Sequence, residues 1–292
     1  MKKIVDREKQ GDLLDFDTLT VRKNGAVLFV EIDAPPMNLM GPELISDLIS
    51  LIKIVETDPA IQVLVFASSD AEFFISHIDV TKSKANREAL MRFNGEASLG
   101  QLFHNMSTSR LVTIAQIEGR VRGVGSEFVL ACDMRFAAKE TAIFGQFEPV
   151  FGVIPGAGAA QHLTRLMGRG RALEVMFSAQ DYNADLAERY GWINRALPAN
   201  ELGNFVNSLA QRIAKFPASG RAVVKQRVNA ISLPSIDDFR RDTALFYEGV
   251  QNRDYQEWME AAMKHGFQDR KAELDLGKML GALADEITED KN

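Results

Sequence analysis

The hydrophobic positions of this chain first alternate with polar ones and then fall into helical spacings. Residues 18–23 and 26–32 predict two strands, and Asn24-Gly25 between them is typical of a tight hairpin turn. Residues 44–55 repeat Leu, Ile and Val at intervals of three and four, which predicts an amphipathic helix. The chain therefore opens with a hairpin followed by a helix.

Strand-like and helix-like segments continue to alternate up to about residue 216. Short apolar runs predict strands at 62–67 and 112–117, and residues 85–106 predict one long helix between them. Beyond Pro217 the pattern is helical throughout, at 223–231, 236–250 and 255–265. This order predicts an α/β core at 1–216 and an all-helical C-terminal region at 217–292.

The last part of the helical region has one apolar face. It is formed by Leu274, Leu276, Met279, Leu280, Leu283 and Ile287. Such a face predicts a terminal helix packed on its own chain, with a dedicated partner site as the alternative.

Composition and charge exclude several classes of protein. The chain has 292 residues, of which 46% are hydrophobic and 25% charged, with a formal charge of −6. This acidic balance, without a basic stripe, argues against nucleic-acid binding. No apolar run is long enough to span a membrane, and the polar residues 1–12 do not resemble a signal peptide. We therefore expect a cytoplasmic enzyme that binds neither nucleic acid nor membrane.

The single cysteine and the few histidines limit the metal and thiol chemistry. Cys132 is the only cysteine, so the chain has no internal disulfide, and no basic neighbour would activate its thiol. The four histidines, at positions 77, 104, 162 and 265, show no metal-binding spacing. We expect no metal site, a buried Cys132, and a structural role for Asp133 beside it.

Two glutamates and a set of glycines form the strongest candidate site. Glu127 lies just inside a predicted short helix at 125–132, behind Gly123 and Gly125, where free amides favour negative charge. Glu148 follows in an apolar loop, which is an expensive place for a charge without a function. The alternative for Glu127 is a carboxylate that only complements the helix dipole.

These segments resemble the crotonase superfamily, the enoyl-CoA hydratase and isomerase family. Its glycine-rich pattern ending in Cys-Asp matches residues 119–133, and its second pattern, through Pro-Glu to Pro-Gly-x-Gly, matches residues 144–158. The resemblance covers roughly residues 19–267, including residues 32–38 and the loop at 74–80. It implies a crotonase-like spiral of ββα turns, with C-terminal helices that form a homotrimer or a dimer of trimers.

The resemblance also implies roles for individual residues. Glu127 would activate a water molecule and Glu148 would deliver a proton, while the backbone amides of Ile78 and Val124 would form an oxyanion hole. The substrate would be an acyl-CoA thioester, and coenzyme A would enter only as part of it, without a further cofactor. The presence of both glutamates favours hydration of an enoyl-CoA, because isomerisation needs only one shuttling base.

The chain departs from the family pattern beside this site. Ser76-His77-Ile78 replaces small residues, with His77 where glycine is usual, and Val124 also replaces a glycine. We therefore include Ser76, His77, Arg122 and Gly123 as candidate substrate-binding residues. Arg122 in particular could hold a carboxylate of the substrate through two parallel hydrogen bonds.

The altered loop also leaves other functions open. One is a crotonase-fold hydrolase or decarboxylase acting on a thioester with the same oxyanion hole. Another is a binding protein that retains the fold without the chemistry. An isomerase that shifts the double bond is a third alternative.

Overall fold

The computed structural model of this protein describes residues 15–289, so the polar segment 1–12 lies outside the described residues. The strands are β1 (Leu19–Asn24), β2 (Val27–Ile32), β3 (Val63–Ser68), β4 (Phe73–Ile75), β5 (Val112–Ile117), β6 (Arg120–Arg122), β7 (Met134–Ala138), β8 (Ile143–Gly145), β9 (Tyr182–Asn183) and β10 (Arg195–Leu197). The helices of the core are α1 (Pro42–Thr57), α2 (Ser83–Asn94), α3 (Leu99–Thr108), α4 (Val124–Ala131), α5 (Ala159–Met167), α6 (Arg169–Ser178), α7 (Ala184–Tyr190) and α8 (Ala199–Ala214). The C-terminal helices are α9 (Ala218–Ser232), α10 (Ile236–Gly249), α11 (Arg253–Lys264), α12 (Arg270–Glu273) and α13 (Leu276–Glu289).

The strands form two sheets, and successive strands from β3 to β8 lie in the two sheets in alternation. The larger sheet has the order β1-β2-β3-β5-β7-β10, and the smaller one has the order β4-β6-β8-β9. The pairs β3–β4, β5–β6 and β7–β8 each take one strand from each sheet and are followed by a helix. This repetition is the predicted spiral of ββα turns. It brings the ends of β4 and β6 side by side, because these two strands are parallel neighbours.

The core lies between the sheets and their helices. The predicted hairpin is present, since β1 and β2 pair antiparallel; Asn24 pairs with Val27, so Gly25 and Ala26 form the turn. Phe128 on α4 contacts Phe66 edge to face at 5.1 Å, which joins this helix to the centre of the larger sheet. Burial of such aromatic rings contributes a large share of the apolar stabilisation of a core.

The predicted helix at 85–106 is two helices in the structure. Gly95 ends α2 with a left-handed backbone at φ 82°, a conformation that glycine adopts at little cost. Ser98 then begins α3, and its hydroxyl accepts a hydrogen bond from the amide of Gln101 at 3.1 Å. The prediction of a single helix was wrong because the apolar spacing continues across this cap.

The C-terminal helices pack partly against the core and partly face solvent. Leu276, Leu280 and Leu283 are buried in a cluster with Phe151 and Phe267, so the terminal segment packs on its own chain as predicted. The segment is nevertheless divided into α12 and α13 where one helix was expected. By contrast, α9 has no buried residue.

Candidate active site

A cavity of about 340 Å³ lies where the smaller sheet meets the C-terminal helices. One end of it is lined by His77, Ile78, Val124, Glu127, Phe147 and Glu148. The fold thus brings both predicted glutamates and both predicted oxyanion residues to one cavity, although they lie on separate parts of the chain.

The Val124 amide opens toward the cavity because α4 begins at this residue. Gly123 precedes it with φ 50°, and its amide donates to the carbonyl of Gly145 at 3.0 Å. The first amides of a helix have no acceptor within the helix. No residue among those described accepts a hydrogen bond from the Val124 amide, which leaves it available for a ligand oxygen.

The Ile78 amide is directed by a short parallel bridge to Met40. The amide of Met40 donates to the carbonyl of His77 at 2.8 Å, and the amide of Asp79 donates to the carbonyl of Met40 at 3.2 Å. In a trans peptide the N–H points opposite to the C=O. The Ile78 amide therefore points away from Met40, and it too has no acceptor in the part of the chain that the structure describes.

Glu127 is almost completely buried, with 2% of its surface exposed. One oxygen of its carboxylate, Oε1, accepts hydrogen bonds from the amides of Ala157 at 2.8 Å and Ala159 at 3.0 Å. Burial raises the pKa of Glu127 well above its ordinary value, and repulsion from Glu148 raises it further. The hydrogen bonds from the two amides oppose this rise. The second oxygen is left for a proton or a ligand.

Glu148 begins a 3₁₀ turn, and two residues separate it from the end of β8. Both oxygens of its carboxylate lie 2.9 Å from Nε2 of Gln146, which donates to them. A Cβ placed on Gly123 would lie 3.2 Å from Oε1 of Glu148, so glycine leaves room for this carboxylate beside the Val124 amide. Burial also raises the pKa of Glu148, while the bonds from Gln146 and the proximity of His77 oppose the rise.

His77 lines the cavity, and three side chains contact its ring. It stacks on Phe267 with ring centroids 4.4 Å apart and contacts Phe147 edge to face at 5.6 Å. Its Nε2 atom lies 2.8 Å from Oε1 of Glu273. Ser76, in contrast, is buried and donates its hydroxyl to the carbonyl of Met37, so the structure does not place it at the cavity.

Arg122 does not face the cavity, which corrects the expectation that it holds a substrate carboxylate. Its Nε and Nη2 atoms each donate to Asp181 at 2.7 Å, and Nη1 donates to the carbonyl of Glu273 at 2.7 Å. The side chain is 1% exposed. The two parallel hydrogen bonds that the sequence suggested are formed, but their acceptor is Asp181 of the same chain.

The far end of the cavity is apolar and largely aromatic. Helices α10 and α11 cover it, together with residues of α2 and of the 3₁₀ turn after β8. The apolar lining consists of Leu90, Phe151, Val153, Phe246, Tyr247, Val250, Tyr255, Met259 and Phe267. Arg87 is a cationic side chain in this lining, and its guanidinium lies 4.5 Å from the ring centre of Tyr247.

Several residues of the site were not found from the sequence. Glu273 and Phe267 lie almost 200 residues after His77, and no local pattern connects them. Gln146 stands two residues before Glu148, but a glutamine carries no signal of its own role. The only sequence signal for these contacts was His77, because a large ring in a position where the family usually has glycine needs other residues to pack against.

The remaining expectations concern residues behind the site. Oδ2 of Asp133 accepts a hydrogen bond from the amide of Thr113 at 2.8 Å and binds Lys225 at 2.8 Å, which is a structural role. Burial raises the pKa of the Cys132 thiol to about 12, so this cysteine is an inert apolar contact. Within residues 15–289, no cluster of His, Cys, Asp and Glu is arranged to hold a metal, and no helix is long and apolar enough to cross a membrane.

The spiral of ββα turns followed by C-terminal helices is the arrangement of the crotonase fold. The sequence profile of the enoyl-CoA hydratase/isomerase family matches residues 22–270. The chain belongs to this family, and the predicted fold class is confirmed.

Individual relatives agree with this assignment. A crystal structure of a candidate enoyl-CoA hydratase from Streptomyces avermitilis is 48% identical and superposes with a TM-score of 0.90, covering 92% of this chain and 98% of that one. Crotonyl-CoA hydratase from Syntrophomonas wolfei is 30% identical over 68% of this chain and 76% of its own length. Short-chain-enoyl-CoA hydratase from Clostridium acetobutylicum is 28% identical over 80% of this chain and 88% of its own length.

Proposed function

We propose that this protein is an enoyl-CoA hydratase that adds water across the 2,3-double bond of an acyl-CoA thioester. The observation that carries the proposal is the meeting of Glu127 and Glu148 with the free amides of Ile78 and Val124 at one cavity. An isomerase needs one carboxyl group and the oxyanion hole, whereas hydration also requires a group that activates water.

The two amides act on the thioester carbonyl. Addition of water to the β-carbon moves electrons through the conjugated system onto this oxygen, which becomes an enolate. Two N–H groups held at the oxygen stabilise the developing charge in a site with little water. Removal of one such donor typically costs about 100- to 1,000-fold in kcat.

The two glutamates exchange protons with water and substrate. The Glu127 carboxylate takes a proton from water as its oxygen bonds to the β-carbon, and the protonated Glu148 gives a proton to the α-carbon. The product is a 3-hydroxyacyl-CoA, and Glu127 is left protonated while Glu148 is ionised. Burial raises the pKa of both carboxyl groups, which favours retention of the one proton that the pair needs for this mechanism. A proton must therefore return to Glu148 before the next turnover, through a water molecule between the two carboxyl groups.

The shape of the cavity supports a substrate with an apolar acyl group longer than four carbon atoms. Its far end presents rings of Phe151, Phe246 and Tyr255, and a crotonyl group would leave much of this surface without contact. Each additional methylene buried there contributes about 0.8 kcal/mol. We expect kcat/KM to rise roughly fourfold per methylene until the apolar end is filled.

A panel of thioesters tests the reaction and the chain length together. The purified protein is incubated with enoyl-CoA substrates from crotonyl-CoA to ten carbon atoms, and with matched saturated acyl-CoA. A mass increase of one water on the enoyl substrates supports the proposal. Release of free thiol from both sets would indicate a hydrolase, a shifted double bond at constant mass an isomerase, and loss of carbon dioxide a decarboxylase. Binding without turnover would indicate a binding protein.

We further propose that the chain acts as a cytoplasmic homotrimer, or as a dimer of such trimers, through the helical region at 217–292. Helix α9 supports this assembly, since it buries no residue and exposes an apolar face. An exposed apolar helix face commonly marks a contact between subunits. The core at 1–216 would then carry the ββα spiral, and α10 and α11 would complete the acyl end of the cavity.

A further inference from the structure

A short C-terminal segment, residues 267–274, contacts strand β6 and the loop that follows β4, which lead to the two proposed oxyanion amides. On the β6 side, Nε of Arg120 donates to the carbonyl of Leu274 at 3.0 Å, next to the bond between Arg122 and Glu273. On the β4 side, the side chain of Gln268 accepts from the amide of Val80 at 3.1 Å and donates to Asp79 at 3.2 Å. The segment therefore bridges the two halves of the proposed hole.

His77 lies at the centre of this bridge, between two hydrogen-bond acceptors. Its Nδ1 atom is 2.8 Å from the carbonyl oxygen of Ile78, and its Nε2 atom is 2.8 Å from Oε1 of Glu273. A carbonyl oxygen can only accept a hydrogen bond, so Nδ1 carries a proton. The same Oε1 atom of Glu273 also accepts the amide of Gln268 at 3.0 Å.

Glu273 is fully buried and ionised. Burial is the largest influence on its pKa and acts to raise it, but the charge and hydrogen bond of His77, the amide of Gln268 and the guanidinium of Arg122 outweigh burial and hold the pKa below its usual range. The His77 ring thus contacts the buried Glu273 carboxylate on one side and the Ile78 carbonyl on the other.

This arrangement fixes the backbone on both sides of Ile78. The preceding peptide, which carries the Ile78 amide, is held by the bond from Met40 to the His77 carbonyl, and the following one by the bond from the His77 ring to the Ile78 carbonyl. We propose that Glu273 is a positioning residue of the oxyanion hole, which acts by holding the His77 ring against the Ile78 carbonyl. This inference rests on the proposed function, because it assumes that the Ile78 amide binds the thioester oxygen.

The substitution Glu273→Gln separates this role from general packing. The new side chain has the same size, and its oxygen can still accept from His77 and Gln268. A neutral amide oxygen is a weaker hydrogen-bond acceptor than a carboxylate, so the contact that holds the His77 ring against the Ile78 carbonyl becomes weaker. The control is Arg270→Ala, in the same segment, which removes the bonds of Arg270 to Asp70 and Glu72 without touching His77.

We expect Glu273→Gln to lower kcat on the best enoyl-CoA by about 10- to 100-fold with little change in KM, as is usual when a residue that orients an active group is lost. Arg270→Ala should lower the melting temperature and leave kcat within about threefold of the wild type.

A second variant covers the case in which Glu273→Gln does not fold. His77→Phe keeps a ring on Phe267 and removes both ring nitrogens, so its kcat should fall by the same factor. The double variant should lose no more than either single one if the two residues act as a unit. A kcat for Glu273→Gln or His77→Phe no lower than that of Arg270→Ala, or a double loss equal to the product of the single losses, would overturn the proposal.

Binding of two non-reacting thioesters distinguishes failure of this inference from failure of the proposed function. A 3-oxoacyl-CoA forms an enolate with charge on the same oxygen, and a saturated acyl-CoA of equal length does not. The wild type should bind the enolate more tightly, measured by ultraviolet absorbance, and Glu273→Gln should lose this preference while it still binds the saturated thioester. If the wild type binds neither compound, the proposed function fails. If variant and wild type prefer the enolate equally, only the role of Glu273 fails.

Discussion

A Cβ atom placed on Gly125 would lie 2.1 Å from the carbonyl oxygen of Ile75. The first turn of α4 therefore packs directly against the end of β4. The Val124 amide is one residue before Gly125, and the Ile78 amide is three residues after Ile75. The spacing of the two proposed oxyanion donors is therefore set by a contact that only glycine permits.

Substitution Gly125→Ala should disturb both stability and catalysis. The methyl group must displace backbone atoms, which typically costs about 1–3 kcal/mol, and the shift would move the Val124 amide away from the Ile78 amide. We expect a lower melting temperature and a fall in kcat that exceeds the change in KM. Gly170→Ala is the control, because a Cβ there meets no atom within 4 Å. Wild-type kcat in folded Gly125→Ala would contradict this account.

Much of the fold was predictable because local patterns determine it. The hairpin at Asn24-Gly25, the helix α1 and the strand β5 follow from short periodic segments and turn residues. The pairing of strands into two sheets was not readable, since each ββα turn has its own sequence and lacks a visible repeat. The break between α2 and α3 was missed because Gly95 and Ser98 interrupt a spacing that remains helical on both sides.

The candidate site was predictable only where the family motifs cover it. Glu127, Glu148 and Val124 lie in two matched segments, and the structure places all of them at the cavity. The features in which this chain departs from the family pattern depend on contacts between segments that are distant in the sequence. Arg122 was assigned to the substrate because a sequence does not reveal its partner Asp181, and Glu273 was overlooked for the same reason.

Removal of either of the two proposed catalytic carboxyl groups should abolish most of the hydration. We expect Glu127→Gln and Glu148→Gln each to lower kcat by roughly 100- to 10,000-fold, or about 3–5 kcal/mol, because each amide can neither accept nor deliver the required proton. Thioester binding, measured with a saturated acyl-CoA, should change little. Glu188→Gln, at an exposed carboxyl group that does not line the cavity, is the control. One essential and one dispensable glutamate would indicate isomerisation instead.

The same carboxyl groups should make the protein less stable as the pH rises. The pKa of Glu127 is raised in the folded state, so the folded state binds more protons than the unfolded one above the ordinary pKa of about 4.3. The stability associated with Glu127 is therefore complete below that pH and is lost as the pH rises toward the folded pKa. Glu127→Gln does not ionise, and its melting temperature relative to the wild type should increase from pH 5 to pH 8. A difference that is constant or shrinks with pH would show that Glu127 is not held in its protonated form.

Arg122 should be required for stability and not for the choice of substrate. Its guanidinium is buried between Asp181 and the carbonyl of Glu273, and breaking a buried ion pair by removing one partner typically costs about 3–5 kcal/mol. Arg122→Ala should lower the melting temperature, while Asp181→Asn, which keeps the shape and loses the charge, should lower it less. The ratio of kcat/KM for acidic and neutral enoyl-CoA of equal length should stay that of the wild type. A selective loss on the acidic substrate would instead restore the carboxylate-binding role.

The exposed face of α9 should hold the subunits together. Val224, Val228 and Ile231 are 63%, 53% and 83% exposed, and their spacing of four and three residues places them on one side of the helix. A charge in such an interface would have to be buried without a partner, so Val228→Glu should dissociate the assembly. Phe177→Glu, at an equally exposed apolar residue of α6, is the matched control and should leave it intact. Light scattering should give three times the 32.4 kDa chain mass, or twice that for paired trimers, for the wild type and the control. A wild type that scatters as a single chain would refute the assembly and leave the apolar face of α9 for another partner.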